Sequence, residues 1–344
     1  MSEKPSLNWG LIGASNIARE WMHEAISQHP DCRVVSVFTS SEERGEAFKA
    51  DLGIARYYTE LDAFLSDPEL DAVYISTTNN RHCAEVMAAA KAGKHILCEK
   101  PLAMTYEDAE AMVAATVGAG VVLATNHHLR NMETHRTIKA IIDSGEIGDV
   151  TSARFSFTVD LPDNLARWRL NDPSLGAGVL LDLTVHDLDT LRYYFGHDPV
   201  RVSGIGLTTG ADTPEGVLDN TTTVWEFPGK VLVICHDSFL VPYGGTAVEI
   251  HGTEGSISGE QILWQKPQGK VYVTTKHGKR EINFNHAIPY HRTVSDFVNA
   301  VRGKGVPSAS GRDGADSLRL VLAAREALAT GRTVEISASA KYAR

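Results

Sequence analysis

The sequence lacks the usual features of secreted, membrane-spanning and nucleic-acid-binding proteins. It has 4 cysteines in 344 residues and no C-x-x-C spacing, so we expect neither a disulfide framework nor a zinc site. No apolar run approaches the roughly 20 residues of a membrane span. The formal net charge of -10 argues against nucleic acid or an anionic membrane as partner, because either requires a basic face. Residues 1–5 show no basic stretch leading into an apolar run, so we expect a cytoplasmic protein without a secretory signal.

The length exceeds that of a usual single hydrophobic core, so we expect two domains, at residues 1–125 and 126–344. In the first, short apolar strands alternate with helical patterns, which predicts right-handed crossovers and a parallel sheet covered on both faces. The first predicted strand ends at Ile12. The other four cover residues 34–38, 72–75, 95–98 and 121–124.

The second domain is predicted to be α+β with a large, open, mostly antiparallel sheet. Alternating strand patterns occur at residues 152–159, 221–227, 231–237 and 247–251. One face of such a sheet is packed and the other is free for a ligand or a partner. We expect a helix at 134–142, a loop at 160–174 because of its Pro, Asn and Asp content, and late helices at 293–301 and 316–329 over the packed face.

A glycine-containing turn, Gly13-Ala14-Ser15-Asn16-Ile17-Ala18, follows the first predicted strand. The dinucleotide-binding G-x-G-x-x-G fingerprint stands at this place in Rossmann-type domains. Ser15 and Ala18 replace its second and third glycines. Alanine still permits close helix–strand packing, and a serine hydroxyl can reach a phosphate at the helix N-terminus. A tight turn without ligand is the alternative, but the repeated strand–helix context favours a cofactor.

The end of the second strand indicates which nicotinamide cofactor is used. NAD-binding folds place Asp or Glu there, where it accepts a hydrogen bond from the ribose 2′-OH. Here Thr39 and Ser40 supply hydroxyls, and Arg44 follows one turn into the next helix, where a guanidinium can bind a 2′-phosphate. Glu42 and Glu43 oppose this interpretation unless they face water at the helix N-terminus. The balance favours NADP(H).

Two further segments carry groups suited to chemistry. The tripeptide Glu99-Lys100-Pro101 ends a buried strand, so Lys100 is expected at the carboxyl edge of the parallel sheet, where ligands bind, with Pro101 restricting its backbone. Asp182 and His186 are four residues apart, so they lie on one face if the segment is a helix. A carboxylate there can orient an imidazole that donates protons near neutral pH. A solvated lysine and a surface ion pair are the alternatives.

Other chemistries lack support in the sequence. His127 and His128 are adjacent, so their side chains diverge, and no nearby residue has metal-ligand spacing; we expect no metal site. Neither G-x-S-x-G nor H-E-x-x-H is present, which leaves hydrolase and metalloprotease activity without a motif.

Taken together, the glycine turn, the Glu99-Lys100-Pro101 tripeptide, Asp182 and His186 resemble the glucose-fructose oxidoreductase / inositol dehydrogenase / MocA family over nearly the whole chain. The family pairs an N-terminal Rossmann domain with a C-terminal open-faced sheet. Its E-K-P lysine, an aspartate and a histidine four residues later line the sugar site facing the nicotinamide. The resemblance therefore implies that Lys100, Asp182 and His186 are catalytic.

Five segments resemble more closely a group within this family whose members use NADPH to reduce the ketone of an anhydro sugar. The segments are residues 9–21, 97–105, 125–131, 168–170 and 186–192. Thr39 stands where that group usually has serine, which keeps the hydroxyl. The resemblance implies an indole–guanidinium clamp that reaches the cofactor from the second domain. The implied cofactor contacts are Gly13, Ser15, Asn16, Ile17, Thr39, Ser40, Arg44, Thr77, Asn79, His82, Glu99, Lys100, Asn126, Trp168 and Arg169.

The sequence thus predicts an NADPH-dependent reductase of a ketone on an anhydro or cyclic sugar, with His186 as proton donor. One alternative is an NAD-linked sugar or inositol dehydrogenase of the same family, which cofactor preference would distinguish. Another is a non-catalytic NADP sensor, against which the joint presence of Lys100, Asp182 and His186 argues. The expected partner is a small sugar, and both a homodimer through the open sheet and a monomer remain open.

Overall fold

The computed structural model describes residues 6–337, the side chains of Asp163, Asn164 and Arg167 excepted. The chain forms two compact units. The first comprises the chain up to His127 together with Tyr290–Ala315, and the second comprises His128–Pro289 and the chain from Asp316 onward. Each unit has its own sheet.

The first unit contains a six-stranded sheet in the order β3-β2-β1-β4-β5-β6, and all neighbouring strands are parallel. The strands are β1 (Leu7–Ile12), β2 (Cys32–Phe38), β3 (Arg56–Tyr58), β4 (Ala72–Ile75), β5 (His95–Cys98) and β6 (Leu123–Thr125). This confirms the predicted parallel sheet. The strand order reverses between β1 and β4, and in such sheets ligands bind in the crevice at that point.

The second unit contains a nine-stranded sheet in the order β14-β13-β12-β11-β7-β10-β9-β8-β15. Its strands are β7 (Val150–Asp160), β8 (Arg201–Leu207), β9 (Asn220–Phe227), β10 (Val231–Ser238), β11 (Leu240–Gly252), β12 (Gly255–Glu260), β13 (Lys270–Thr275), β14 (Gly278–Ile282) and β15 (Val334–Glu335). Strand β7 pairs parallel with β10, and the other neighbouring pairs are antiparallel. The predicted mostly antiparallel sheet is confirmed.

The α-helices are α1 (His23–Ser27), α2 (Glu42–Leu52), α3 (Leu61–Leu65), α4 (His82–Lys91), α5 (Tyr106–Ala119), α6 (Glu133–Asp143), α7 (Asp163–Asn171), α8 (Val185–Phe195), α9 (Pro289–Val301) and α10 (Gly311–Thr330). Helix α6 confirms the helix predicted at 134–142. No helix within residues 6–337 is both long and apolar enough to cross a membrane.

Helix α9 corrects one prediction. We expected it over the packed face of the second sheet, but it belongs to the first unit. The ring of Phe297 lies 4.8 Å from that of Trp9 in β1, and both side chains are fully buried. An amphipathic pattern shows that a helix covers a sheet, but it does not show which sheet, because both units offer an apolar face.

Residues 160–174 correct a second prediction, since they contain helix α7 rather than a continuous loop. Pro162 precedes its first turn in extended geometry (φ -58°, ψ 143°), and proline is well tolerated at a helix start because no N–H is needed there. Asp172 then caps a short 3₁₀ turn by accepting from the backbone N of Ser174. The same residue types that favour loops also favour helix ends.

Helix α8 covers the packed face of the second sheet and thereby positions His186. The ring centroids of Phe195 and Phe227 in β9 lie 5.1 Å apart in an edge-to-face arrangement. Those of Tyr194 and Phe155 in β7 lie 6.2 Å apart. The opposite face of the sheet is open, with exposed Leu232 on β10. The helix that carries the candidate proton donor is therefore anchored on the sheet.

Candidate active site

The glycine turn at the end of β1 is shaped by close approach to the end of β4. Gly13 has φ +102°, and a Cβ there would lie 3.0 Å from Cγ2 of Thr77 and 3.2 Å from the carbonyl carbon of Ser76. Glycine is thus required both for the backbone conformation and for space. The Ser15 hydroxyl donates to Oγ of Ser76 at 2.7 Å and accepts from the backbone N of Ala18 at 3.1 Å. Ser15 therefore stabilises a turn of the kind that binds phosphate at the strand-order reversal.

Arg44 lies beside this turn. Its guanidinium donates to the backbone carbonyl of Ala14 at 2.8 Å and is exposed. Thr39, at the end of β2, is buried, and Glu42 and Glu43 are exposed in the first turn of α2. The structure thus brings Arg44 and the glycine turn together, as binding of a 2′-phosphate requires, and both glutamates face water.

His82 is fully buried at the start of α4. Its Nδ1 is 2.9 Å from the carbonyl oxygen of Pro101, and its Nε2 is 3.3 Å from that of Thr77. Burial lowers the pKa of His82, although the two carbonyls oppose this shift. The ring joins the end of β4 to the segment that follows Lys100. This geometry makes His82 a support for that segment, and its contact with the cofactor stays a prediction.

Glu99 is the centre of a hydrogen-bond group beneath Lys100. Its carboxylate accepts from Oη of Tyr74 at 2.5 Å, from Nδ2 of Asn126 at 2.6 Å and from the backbone N of Lys100 at 3.4 Å. Burial raises the pKa of Glu99, and the hydrogen bonds from Asn126 and Tyr74 oppose that shift. The group fixes the backbone that carries Lys100. The sequence analysis missed Tyr74; its signal was a phenol in a buried strand, which needs a polar partner.

In the second unit, Asp182 lies in a π-helical turn, Leu180–Thr184, that continues directly into α8. The segment through Asp182 and His186 is helical, but the turn that carries Asp182 is π-helical. Such turns often occur at functional sites. Arg169 approaches Asp182 with Nε 3.1 Å from Oδ2, and its guanidinium lies 4.6 Å from the ring centroid of Trp168. The structure thus brings together three predicted residues, Trp168, Arg169 and Asp182.

His186, in the first turn of α8, is almost fully buried at 5% exposure. Its ring centroid lies 5.1 Å from that of His128, at an interplanar angle of 80°, and 6.2 Å from that of Phe157. The sequence analysis considered His128 only as half of a metal dyad. Its contact with His186 has no signal in the linear sequence because the two residues lie on separate elements.

The other predicted cofactor contacts differ in exposure. Asn16 and Ser40 are exposed, Ile17 and Thr77 are half-buried, and Asn79 and Asn126 are buried. Within residues 6–337, no group of three or more His, Cys, Asp or Glu side chains is arranged to hold a metal ion.

A buried pair of acids lies behind the π-helical turn. Asp187 and Asp237 are both fully buried, and the Thr184 hydroxyl donates to Oδ2 of Asp237 at 2.5 Å. Burial raises the pKa of Asp237 to about 6. Burial, together with the charge of Asp237, raises the pKa of Asp187 well above its usual value. The raised pKa keeps the Asp187 carboxyl protonated to a higher pH than an exposed aspartate, and the interaction of the two acids ties the start of α8 to β10.

This pair predicts how stability depends on pH. The pKa of Asp187 is raised on folding from an unfolded value of about 3.9. The contribution of this carboxyl to the free energy of unfolding is therefore fully present below about pH 4 and is lost as pH rises. We expect Asp187→Asn to remove part of the decline in unfolding free energy between pH 5 and 8, because the amide donates to Asp237 without titrating. Chemical denaturation at several pH values measures this. Parallel pH dependences for wild type and Asp187→Asn would contradict the assignment.

Comparisons with known proteins find relatives over nearly the whole chain. Residues 7–127 match the family described as "Oxidoreductase family, NAD-binding Rossmann fold", and residues 135–258 match the "GFO/IDH/MocA C-terminal domain". The chain is 45% identical to a 1,5-anhydro-D-fructose reductase of Ensifer adhaerens over 328 residues, which is 95% of this chain and 98% of the relative. It is 27% identical to a myo-inositol 2-dehydrogenase of Thermotoga maritima over 95% of this chain and 98% of that protein.

Among solved structures, the aldose-aldose oxidoreductase of Caulobacter crescentus superposes with a TM-score of 0.89 at 24% identity, covering 96% of this chain and 100% of the other. Levoglucosan dehydrogenase in complex with NADH and levoglucosan superposes with a TM-score of 0.86 at 24% identity, covering 96% and 99%. These likenesses show the shared two-domain fold.

Proposed function

Because the chain belongs to the GFO/IDH/MocA family of oxidoreductases, we propose that it is an NADPH-dependent reductase of 1,5-anhydro-D-fructose. The product is the corresponding alcohol, 1,5-anhydro-D-mannitol. The observation that carries the proposal is the 45% identity to a reductase of that name over nearly the full length of both chains. The arginine beside the glycine turn supports NADPH as the cofactor.

The described residues fit a phosphate-bearing dinucleotide. Gly13 leaves a space that a Cβ would fill, and Arg44 adds a positive charge next to the turn. We propose that the glycine turn holds the pyrophosphate and that Arg44 holds the 2′-phosphate. When bound, NADPH supplies the hydride that reduces the substrate carbonyl.

The proton chemistry belongs to the protein's own side chains. We propose that His186 donates the proton to the oxygen of the reduced carbonyl and that the Lys100 ammonium stabilises the negative charge developing on that oxygen. A positive charge there interacts more strongly with the transition state than with the neutral ketone, which lowers the barrier. Asp182, held by Arg169, is proposed to orient these groups.

The cofactor assignment predicts a selective effect at Arg44. Arg44→Ala should raise the KM for NADPH by about ten-fold or more and leave the KM for NADH nearly unchanged, because a lost charged hydrogen bond costs roughly 1.5–3 kcal/mol. Arg33→Ala, which removes an exposed arginine from the start of β2, is the matched control. Equal losses with both cofactors would instead indicate damage to the fold or to the pyrophosphate site.

The proposed roles of Trp168 and Arg169 predict protection by the cofactor. If the two residues contact NADPH, backbone amides of α7 should exchange more slowly with deuterated solvent after NADPH is added. The turn at Gly13 should show the same response and reports that the cofactor has bound. Protection at Gly13 without any change around Trp168 would refute the clamp.

The substrate is tested by a panel. The dialysed enzyme is mixed with NADPH and, separately, with 1,5-anhydro-D-fructose, simple ketoses and osones, and oxidation of NADPH is followed by absorbance. We expect the highest kcat/KM with 1,5-anhydro-D-fructose. Turnover confined to the oxidation of sugars or inositols with NAD would favour the dehydrogenase alternative. Cofactor binding without any turnover would favour a sensor.

We also propose that the open face of the second sheet forms a homodimer contact. Ile205 and Leu207 on β8 and Leu232 on β10 are exposed there, and the pairings of β8 and β10 with β9 place them on one face. Light scattering coupled to size-exclusion chromatography gives the mass in solution. A monomer mass at the concentrations used for activity would refute the dimer.

A further inference from the structure

A second histidine ring contacts the proposed proton donor. His128 begins a short 3₁₀ turn, His128–Asn131, and its ring meets that of His186 at 5.1 Å and 80°. Both side chains are nearly buried, at 6% and 5% exposure. In this edge-to-face arrangement, the positive edge of one ring meets the electron-rich face of the other, which is favourable.

An ion pair fixes this turn to α8. The Arg130 guanidinium makes two parallel hydrogen bonds to Asp189, with Nε–Oδ2 and Nη2–Oδ1 distances of 2.7 Å each. Such planar, two-bond pairs hold both orientation and distance. His128 lies two residues before Arg130 in the turn, and His186 lies three residues before Asp189 in α8. The ion pair therefore sets the separation of the two imidazole rings.

We propose that His128 is a positioning residue for His186: it fixes the ring of the proton donor and restricts the two imidazoles to one positive charge between them. The inference rests on the proposed function, in which His186 donates the proton. Two cations at this separation repel strongly in a site with little water. Their titrations are therefore linked, and each ring reports on the protonation of the other.

The elements that carry the two rings also carry charged groups of the second unit. Phe157 adds an uncharged ring beside His186. The charged groups are the ion pairs Arg130–Asp189 and Arg169–Asp182 and the acid pair Asp187–Asp237, and His127 precedes the turn in the chain.

Two substitutions separate the ring contact from the titrating nitrogens. His128→Ala removes both and should lower kcat about ten-fold, the effect of losing an aromatic contact that fixes the donor, with KM little changed. His128→Phe keeps a ring and should recover kcat to within about three-fold of wild type. His277→Ala, at an exposed histidine in the turn between β13 and β14, is the control and should leave kcat unchanged.

Nuclear magnetic resonance of the histidine rings provides a readout that does not depend on any substrate. As pH is varied, the His186 signal of wild type should shift in two steps, because protonation of His128 also affects it. In His128→Phe the signal should shift in a single step.

Wild-type kcat in His128→Ala, or identical His186 titrations in wild type and His128→Phe, would overturn the proposal. If wild type reduces no sugar ketone, the proposed function fails, and the titration still tests the linked rings.

Discussion

His186→Ala is expected to lower kcat for ketone reduction by about 10²–10⁴-fold, the usual loss when a general acid is removed. The expected KM for NADPH is nearly unchanged, because the side chain belongs to the second unit and is not among the proposed phosphate contacts. Stopped-flow measurement of NADPH oxidation in a single turnover reports the chemical step directly, before product release contributes.

Two controls make this result specific. His197→Ala removes another histidine of the second unit, half-buried just beyond α8, and should leave kcat near the wild-type value. Circular dichroism and thermal unfolding show whether the His186→Ala variant is folded. A folded variant that keeps near-normal kcat at pH 7 would refute the role of His186 as proton donor.

Lys100→Ala is expected to lower kcat by about 10²–10³-fold or more, because removal of one group that stabilises an oxyanion typically has this effect. The backbone at this position is held by Glu99, which accepts hydrogen bonds from Tyr74, Asn126 and the Lys100 N–H. Loss of the ammonium alone should therefore leave the chain path intact.

Lys100→Arg is the matched variant, since it keeps the positive charge in a larger and planar form. We expect it to retain more kcat than Lys100→Ala and less than wild type. Fluorescence titration with NADPH checks that both variants still bind the cofactor. Equal kcat for Lys100→Ala and wild type would exclude the lysine from the chemical step.

The sequence predicted the first sheet well because a parallel sheet covered on both faces requires continuous apolar strands. Strands β1, β2, β4, β5 and β6 have such runs, and all were predicted. Strand β3, Arg56–Tyr58, was missed. It has three half-buried residues at the edge of the sheet, so burial imposes no apolar run on it.

In the second sheet, the strands missed by the sequence analysis have few consecutive apolar residues. Strand β8, for example, contains Gly204 and Gly206 and pairs its exposed Ile205 with Thr222. Glycine at position 204 is required by space, because a Cβ there would lie 2.4 Å from the Thr222 carbonyl oxygen. In a sequence, glycine usually indicates a turn. In this sheet it instead permits close packing between neighbouring strands.

For the candidate site, local motifs indicated Gly13, Arg44 and Lys100, because strand ends and helix starts have recognisable residue patterns. The supporting groups could not be found in this way. The His128 ring meets His186 through tertiary packing, and Asp237 reaches the π-helical turn from a separate strand. No periodic pattern in the sequence predicts contacts between residues that are far apart along the chain.

The central claim is NADPH-dependent reduction of 1,5-anhydro-D-fructose. It is tested most directly by measuring kcat/KM for this ketone with NADPH and with NADH on the same preparation of dialysed enzyme. We predict turnover with both cofactors and a kcat/KM at least about ten-fold higher with NADPH, the ratio expected from one charged contact to the 2′-phosphate. Absence of turnover with NADPH, or an equal or higher kcat/KM with NADH, would contradict it.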